Sequence, residues 1–347
     1  MRLGAVRAVC RVLLLAGALA AAGAPFVAAS SGAAPPPKSG DPVGEAKQRL
    51  ETARNEANAA AARFTDAQSH YEQLSDQVAE IEQQIQRGED RAAHLHEIAA
   101  RRAIVAYKTQ GADVSAVFGT DDPRDGMRSS VLLDAANESD KEAVQEYAAL
   151  ADDLAAKREE LSNQRKLQKE ALDTFSDERK MLDEKVSDAQ KAQENLGEKV
   201  RAGNAAAPGF TAGAINAPVI DGLVCPVPGS AFSNDFGQPR AGHTHQGNDM
   251  FAPMGTANLA VVSGNVTYGP GGSGGNGAYL DGENGVTYIY YHLSEYVGPP
   301  RHVNQGEVIA KLGQTGNARA PHTHFEIRRG GRTAPPVNPY PTITKIC

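Results

Sequence analysis

The chain has 347 residues, a formal net charge of −7, no Trp and an aromatic content of 5%. Its length implies more than one folding unit, because single domains centre near ~100–150 residues. Acidic residues outnumber basic ones by 42 to 35, which excludes nucleic acid or an anionic membrane surface as the main partner, since either demands a basic patch.

Residues 1–29 read as an export signal. Arg2, Arg7 and Arg11 precede an apolar run from Val12 to Ala29, and Val27-Ala28-Ala29 offers small residues for cleavage. The run contains Pro25 and lacks a basic flank on its far side, so we expect a cleaved signal rather than an anchor, and no transmembrane segment after its removal. Cys10 precedes the run and is not placed like a lipoprotein cysteine. The mature chain keeps 32 basic and 42 acidic residues, net −10. It also keeps two cysteines, Cys225 and Cys347, in an oxidising compartment, where a disulfide between them is expected.

Residues 30–44 are a Pro/Gly/Ser tether with too little apolar surface to fold. A helical region over 45–201 follows. Ala46, Leu50, Ala53, Ala57, Ala60, Phe64, Ala67, Tyr71, Leu74, Val78, Ile81 and Ile85 alternate spacings of four and three, the seam of a left-handed coiled coil. A second seam runs through Val144, Tyr147, Ala151, Leu154, Leu161, Leu172, Phe175, Leu182, Val186, Ala189, Leu196 and Val200, interrupted by Arg158, Arg165, Gln168, Arg179 and Gln193. The two predict an antiparallel hairpin of helices, each roughly 80–95 Å long at ~1.5 Å per residue. Its tip, residues 108–137, contains Gly111, Gly119 and Asp121-Asp122-Pro123-Arg124-Asp125-Gly126 and reads as irregular. His96-Glu97 begins a zinc-helix string, but Ala100 stands where a second His would be needed.

Residues 202–222 form a flexible linker. From 223 to 347, short alternating apolar runs separated by Gly, Pro and Asn predict an all-β, mostly antiparallel domain. Of the 35 glycines, 24 lie from Gly203 onward, in keeping with that turn-rich half. The stretch Gly272 to Gly277 fits a GxGxxG pattern, but a strand and turn follow instead of a helix, which excludes dinucleotide binding and leaves a flexible loop at a cleft rim. Near the end, His322 and His324 are separated by one residue within an apparent strand, so they share a face. His245 is followed four residues on by Asp249, with Gly247 allowing a bend between them. Two imidazoles and a carboxylate are a common catalytic zinc set, with the fourth position left to water. His243 is a rival to His245, though the spacing to Asp249 favours His245, and His302 reads as a surface residue.

Four blocks in order, Phe236 to Thr256, Tyr290 to Ser294, Gly306 to Ala318 and His322 to Ile327, resemble the lysostaphin/LytM-type zinc endopeptidases of bacterial cell walls. The resemblance covers roughly residues 225–340. It implies one Zn²⁺ held by His245, Asp249 and His324, with His292 and His322 as catalytic histidines that are not ligands. The implied substrates are stem and cross-bridge peptides of peptidoglycan, and the implied location is extracytoplasmic, at the cell wall. Relatives with a similar coiled coil plus LytM domain have lost their ligands and activate separate cell-wall amidases, which is the alternative function; all five chemical positions are present here, favouring the enzyme. The resemblance also implies that such hairpins can occlude the cleft or dock on a membrane complex of the FtsEX type. A biotinyl-type carrier, suggested by Gly306 to Gly313, is disfavoured because Lys311 sits inside a strand and not at a hairpin tip.

Overall fold

The computed structural model describes residues 41–109, 123–204, 221–240 and 242–347; the expected export signal, part of the hairpin tip and most of the linker lie outside the described residues. Among the described residues, no helix is long and apolar enough to cross a membrane. Residues 42–347 form one compact unit.

Two long helices open it, α1 (Pro42–Thr109) of 68 residues and α2 (Pro123–Asn204) of 82. At ~1.5 Å per residue they measure roughly 100 and 120 Å, longer than the sequence predicts. Helix α2 resumes at Pro123, inside the stretch read as irregular, because proline suits a first helical turn and a single Gly126 costs only about 1 kcal/mol. The pairs Arg158–Glu89, Arg165–Glu82 and Lys185–Glu56 descend on α1 as they climb on α2, as antiparallel helices require. In α1 the expected seam is buried, including Leu50, Ala57, Ala60, Phe64, Leu74, Val78, Ile81 and Ile85. The second seam differs from its reading. Leu172 and Tyr147 are 43% exposed and Val200 38%, while Ala171 is buried. For Leu172 the reason is register: Gln168 stays in the interface, donating to Ser75 Oγ at 3.1 Å, so the regular spacing passes through Gln168, Ala171 and Phe175 and leaves Leu172 on the outside.

The C-terminal half contains β1 (Ala231–Phe232), β2 (Pro239–Arg240), β3 (His243–Thr244), β4 (Asn248–Phe251), β5 (Ala257–Leu259), β6 (Gly264–Pro270) and β7 (Asn276–Gly282). They are followed by β8 (Val286–Tyr291), β9 (Glu295–Tyr296), β10 (Arg301–Val303), β11 (Val308–Lys311), β12 (His322–Arg329), β13 (Pro336–Val337) and a short helix α3 (Tyr340–Ile346). All pairings are antiparallel. The main sheet runs β1-β4-β12-β8-β7-β6-β10, with β13 beside β12, and smaller sheets join β5-β11-β9 and β2-β3. Its core is its own: Tyr290, Phe325, Leu280, Leu293, Val303, Ile309 and Leu312 are all at most 1% exposed. Cys225 and Cys347 are disulfide-bonded across a separation of 122 residues, which ties α3 to the start of the domain. In the chain-entropy view a loop of that length contributes on the order of 4–5 kcal/mol.

Helix α1 carries a second buried stripe, Ala61, Thr65 and Ser69, turned toward the β domain. The stripe is small and polar, and it bonds the segment that leads into the candidate site. Phe232 N donates to Asn58 Oδ1 at 3.0 Å, Ser69 Oγ donates to the Pro239 carbonyl at 2.9 Å, and Gln238 Nε2 donates to Asp66 Oδ1 at 2.8 Å. The Phe64 ring joins the two halves, 5.2 Å from the centroid of Phe175 in α2 and edge-on to Phe251 in β4 at 5.4 Å. Truncating it removes packing from both sides at once. Phe64→Ala is expected to lower the stability of the full chain to denaturant by about 3–5 kcal/mol, with Phe64→Leu retaining most of it; a loss below 1 kcal/mol for the alanine variant would contradict this account of the junction.

Candidate metal centre

Strand β12 lies between β4 and β8, and its register sets the site. His324 stands directly opposite Asp249 on β4 and Tyr291 on β8. Directly opposed residues bring their side chains within roughly 5 Å, so Asp249 and His324 meet without any loop having to fold over them. His322 lies two residues back on the same face. His245 arrives from the turn before β4, and His292 follows the last residue of β8. All five are buried.

His245 Nε2 lies 3.0 Å from Asp249 Oδ1 and 2.8 Å from His324 Nδ1, and the latter is 3.0 Å from the same carboxylate oxygen. His322 Nε2 is 3.3 Å from that oxygen, and the His292 ring centroid is 4.5 Å from that of His322. The outer nitrogen of each ring identifies its hydrogen. His245 Nδ1 donates to the Asp235 carbonyl at 3.0 Å, His292 Nδ1 to the Thr315 carbonyl at 2.8 Å, and His322 Nδ1 to the Ala320 carbonyl at 2.8 Å. A carbonyl can only accept, so each of these nitrogens carries its proton and the neutral ring presents a lone pair at Nε2. His324 is turned the other way: Nε2 faces the carboxylate of Glu326 at 3.2 Å, and Nδ1 points inward. His245 Nε2, Asp249 Oδ1 and His324 Nδ1 thus meet about 3 Å apart, where a shared proton or a divalent cation can satisfy them. The group His245, Asp249 and His324 can therefore hold a metal ion, and the nitrogen–nitrogen–oxygen set fits the ligands zinc takes.

Burial, opposed by Asp249, lowers the His245 pKa. His292 is pushed down to about 3, by burial first and then by neighbouring His322 and His324. Burial works against charge on His324, but hydrogen bonds to Asp249 and Glu326 outweigh it and push the pKa up to about 9. Burial works against Asp249 too, yet His245 and His322 hold its carboxyl well below the usual range.

His292 occupies the left-handed backbone region at φ 63°, a conformation that costs a non-glycine residue of order 1–3 kcal/mol. Its N–H donates to the Gly274 carbonyl at 2.8 Å, so the glycine-rich stretch read as a flexible rim loop has a defined task. Gly271, Gly274 and Gly277 leave the space that the Tyr291 ring occupies, and the stretch clamps His292. Gly247 also departs from its reading. It is not among the positive-φ glycines; a Cβ there would lie 2.5 Å from His324 Nε2 and from the Phe325 carbonyl. The glycine makes room for a ligand ring.

The site opens into a cavity of about 680 Å³. His243 and Arg319 lie on its rim, both exposed, while His243 is not in the metal-holding group. His302 is exposed and pairs with Glu283 at 2.9 Å. Gln68, Tyr71, Glu72 and Ser75 of α1 line the same cavity. The sequence gives no spacing signal for three further buried groups. Asp235 sits 3.4 Å from His245 Nδ1 and accepts from Asn248 Nδ2 at 2.5 Å. Arg240 Nη2 lies 3.7 Å from Asp249 Oδ2. Glu326 is legible only in hindsight, as the next member of the alternating series His322, His324, Glu326.

An antiparallel β domain that turns two imidazoles and a carboxylate onto one point, with further histidines beside them, defines a metallopeptidase-type domain. Residues 243–339 match peptidase family M23 and form a peptidase M23 domain. Over 105 residues it is 38% identical to the DD-carboxypeptidase/endopeptidase Mpg of Neisseria meningitidis, covering 29% of this chain and 24% of that protein. Over 90 residues it is 37% identical to the peptidoglycan DD-endopeptidase ShyC of Vibrio cholerae, covering 25% and 21%. The solved catalytic domain of lysostaphin from Staphylococcus simulans is 32% identical, covering 30% of this chain and 81% of that one at a TM-score of 0.28. The chain thus spans less than a quarter of the length of these two curated relatives.

Gly247→Ala should cost at least tenfold in metal affinity, measured by chelator competition, because backbone and ligand ring cannot both yield to the added methyl. Wild-type affinity in that variant would contradict the close approach described.

Proposed function

We propose that this protein is a secreted zinc endopeptidase that hydrolyses peptide crosslinks of bacterial peptidoglycan. The observation that carries the reading is the convergence of His245, His322 and His324 on one buried carboxylate, Asp249, with the His292 ring beside that of His322. The names of Mpg and ShyC, both DD-endopeptidases, support the substrate class. His245, Asp249 and His324 are the proposed ligands. Bound there, zinc supplies Lewis acidity, drawing the pKa of a water toward neutrality and polarising a carbonyl.

The chain's own groups handle the proton. His322, with Nδ1 committed to the Ala320 carbonyl, has only Nε2 to offer. It accepts a proton from the attacking water and returns it to the leaving amine, a contribution of about 10²–10⁴-fold. His292 is committed in the same way to the Thr315 carbonyl, so it steadies a developing oxyanion only while its Nε2 carries a proton. The two rings stand 4.5 Å apart between centroids, and either can start as the base.

His324→Ala should abolish both zinc retention and lysis of purified walls. His322→Ala and His292→Ala should keep the zinc while losing about 10²–10⁴-fold in rate. Undiminished lysis by His324→Ala would overturn the reading and favour a non-catalytic activator of amidases.

The hairpin is proposed to restrain the cleft, because Gln68, Tyr71, Glu72 and Ser75 stand on the cavity that a substrate strand must enter. Digestion of walls by residues 203–347 alone should then be faster than by the full chain, and equal rates would leave the hairpin a localising role only. A membrane complex of the FtsEX type as the partner that withdraws it rests on family resemblance alone.

A further inference from the structure

Four alternate positions on one face of β12 carry His322, His324, Glu326 and Arg328. The first two belong to the site already described. The other two form a chain that runs away from it. Glu326 is 3% exposed, and its two oxygens are divided between two partners. Oε1 faces His324 Nε2 at 3.2 Å, and Oε2 accepts from Arg328 Nε at 2.6 Å. Arg328 is anchored in turn: Nη1 donates to the Ala334 carbonyl at 2.7 Å and Nη2 to Gln246 Oε1 at 3.0 Å. Gln246 is the neighbour of the proposed ligand His245, so the chain closes on the other side of the site.

The arrangement solves a problem particular to His324. The other three imidazoles are fixed by carbonyls, which belong to the backbone and cannot turn. His324 alone depends on a side chain to hold its outer hydrogen. Flipped about χ2 it would present Cδ2–H, and shifted to the other tautomer N–H, instead of a lone pair to Asp249, and the three-atom set would be lost.

We propose that Glu326 is a positioning residue for the metal site, holding His324 in the tautomer whose Nδ1 lone pair faces inward, with Arg328 as the anchor that keeps the carboxylate in place. The inference rests on the zinc reading above. A carboxylate behind a ligating imidazole also raises its basicity, and losing such a partner typically costs about 10–100-fold in metal affinity.

The test is zinc affinity of the full chain by chelator competition, with cobalt(II) absorption as a second readout of ligand geometry. Glu326→Leu should bind zinc at the upper end of that range more weakly, and Glu326→Gln, which keeps an acceptor without the charge, at the lower end. Arg328→Gln should fall between wild type and Glu326→Gln. The cobalt spectrum should change in the leucine variant, which a merely structural residue would leave unaltered once metal is saturating. Should Glu326→Leu fail to fold, the isosteric Glu326→Gln decides, with a loss of about tenfold supporting the proposal. Wild-type affinity and spectrum in the folded Glu326 variants would overturn the positioning role while leaving the zinc reading intact. A wild-type chain that retains no zinc would overturn both.

Discussion

His324 and Asp249 face each other across the β4–β12 ladder with ring nitrogen and carboxylate oxygen 3.0 Å apart, close enough that a shared proton or a cation must sit between them. His245 Nε2 adds a third acceptor to the same point. Bringing such groups together in a buried place is unfavourable unless something positive satisfies them, so the surrounding structure has to hold them there. It does so by occupying the far side of every ring. Three backbone carbonyls and one carboxylate take the outer N–H groups, and Gly247 withdraws its side chain so that His324 can approach. The strained backbone of His292, clamped by the glycine-rich stretch, belongs to the same set of constraints.

The hairpin meets this domain through contacts of another kind. Apart from Phe64, the docking stripe of α1 consists of short polar or small side chains that bond to backbone groups around residues 232–242. Each such bond is worth only about 0.5–1.5 kcal/mol net, and its partners are readily solvated when it opens. The β domain keeps an aliphatic and aromatic core of its own, closed by the disulfide. A β domain with its own core, joined to the helical cover through one shared apolar cluster and a few polar bonds, is the combination that the proposed restraint of the cleft requires.

Much of this was legible in the sequence, and the failures have physical causes. Spacings of two and four residues placed His322 with His324 and His245 near Asp249, because strand geometry and short turns act over just those distances. The α1 seam was readable because every member is apolar. The α2 seam was not, since Gln168 is satisfied by Ser75 inside the interface and polarity hid the register. The docking stripe of Ala61, Thr65 and Ser69 looked like ordinary helix surface, as small polar residues do when their partners are distant backbone atoms. Asp235 and Arg240 reach the site through loop conformations that leave no periodic trace. In sequence, Gly247 and the glycines around Tyr291 have the look of bends or slack, whereas what they provide is room.

The central claim is that His245, Asp249 and His324 jointly hold one zinc while His292 and His322 remain free of it. Anomalous diffraction at the zinc absorption edge, from crystals of the full chain purified without added metal, tests it most directly. The account predicts a single strong peak within about 2.0–2.2 Å of His245 Nε2, an Asp249 carboxylate oxygen and His324 Nδ1. No peak there, or a peak coordinated by His322 or His292 in place of one of these ligands, would contradict it.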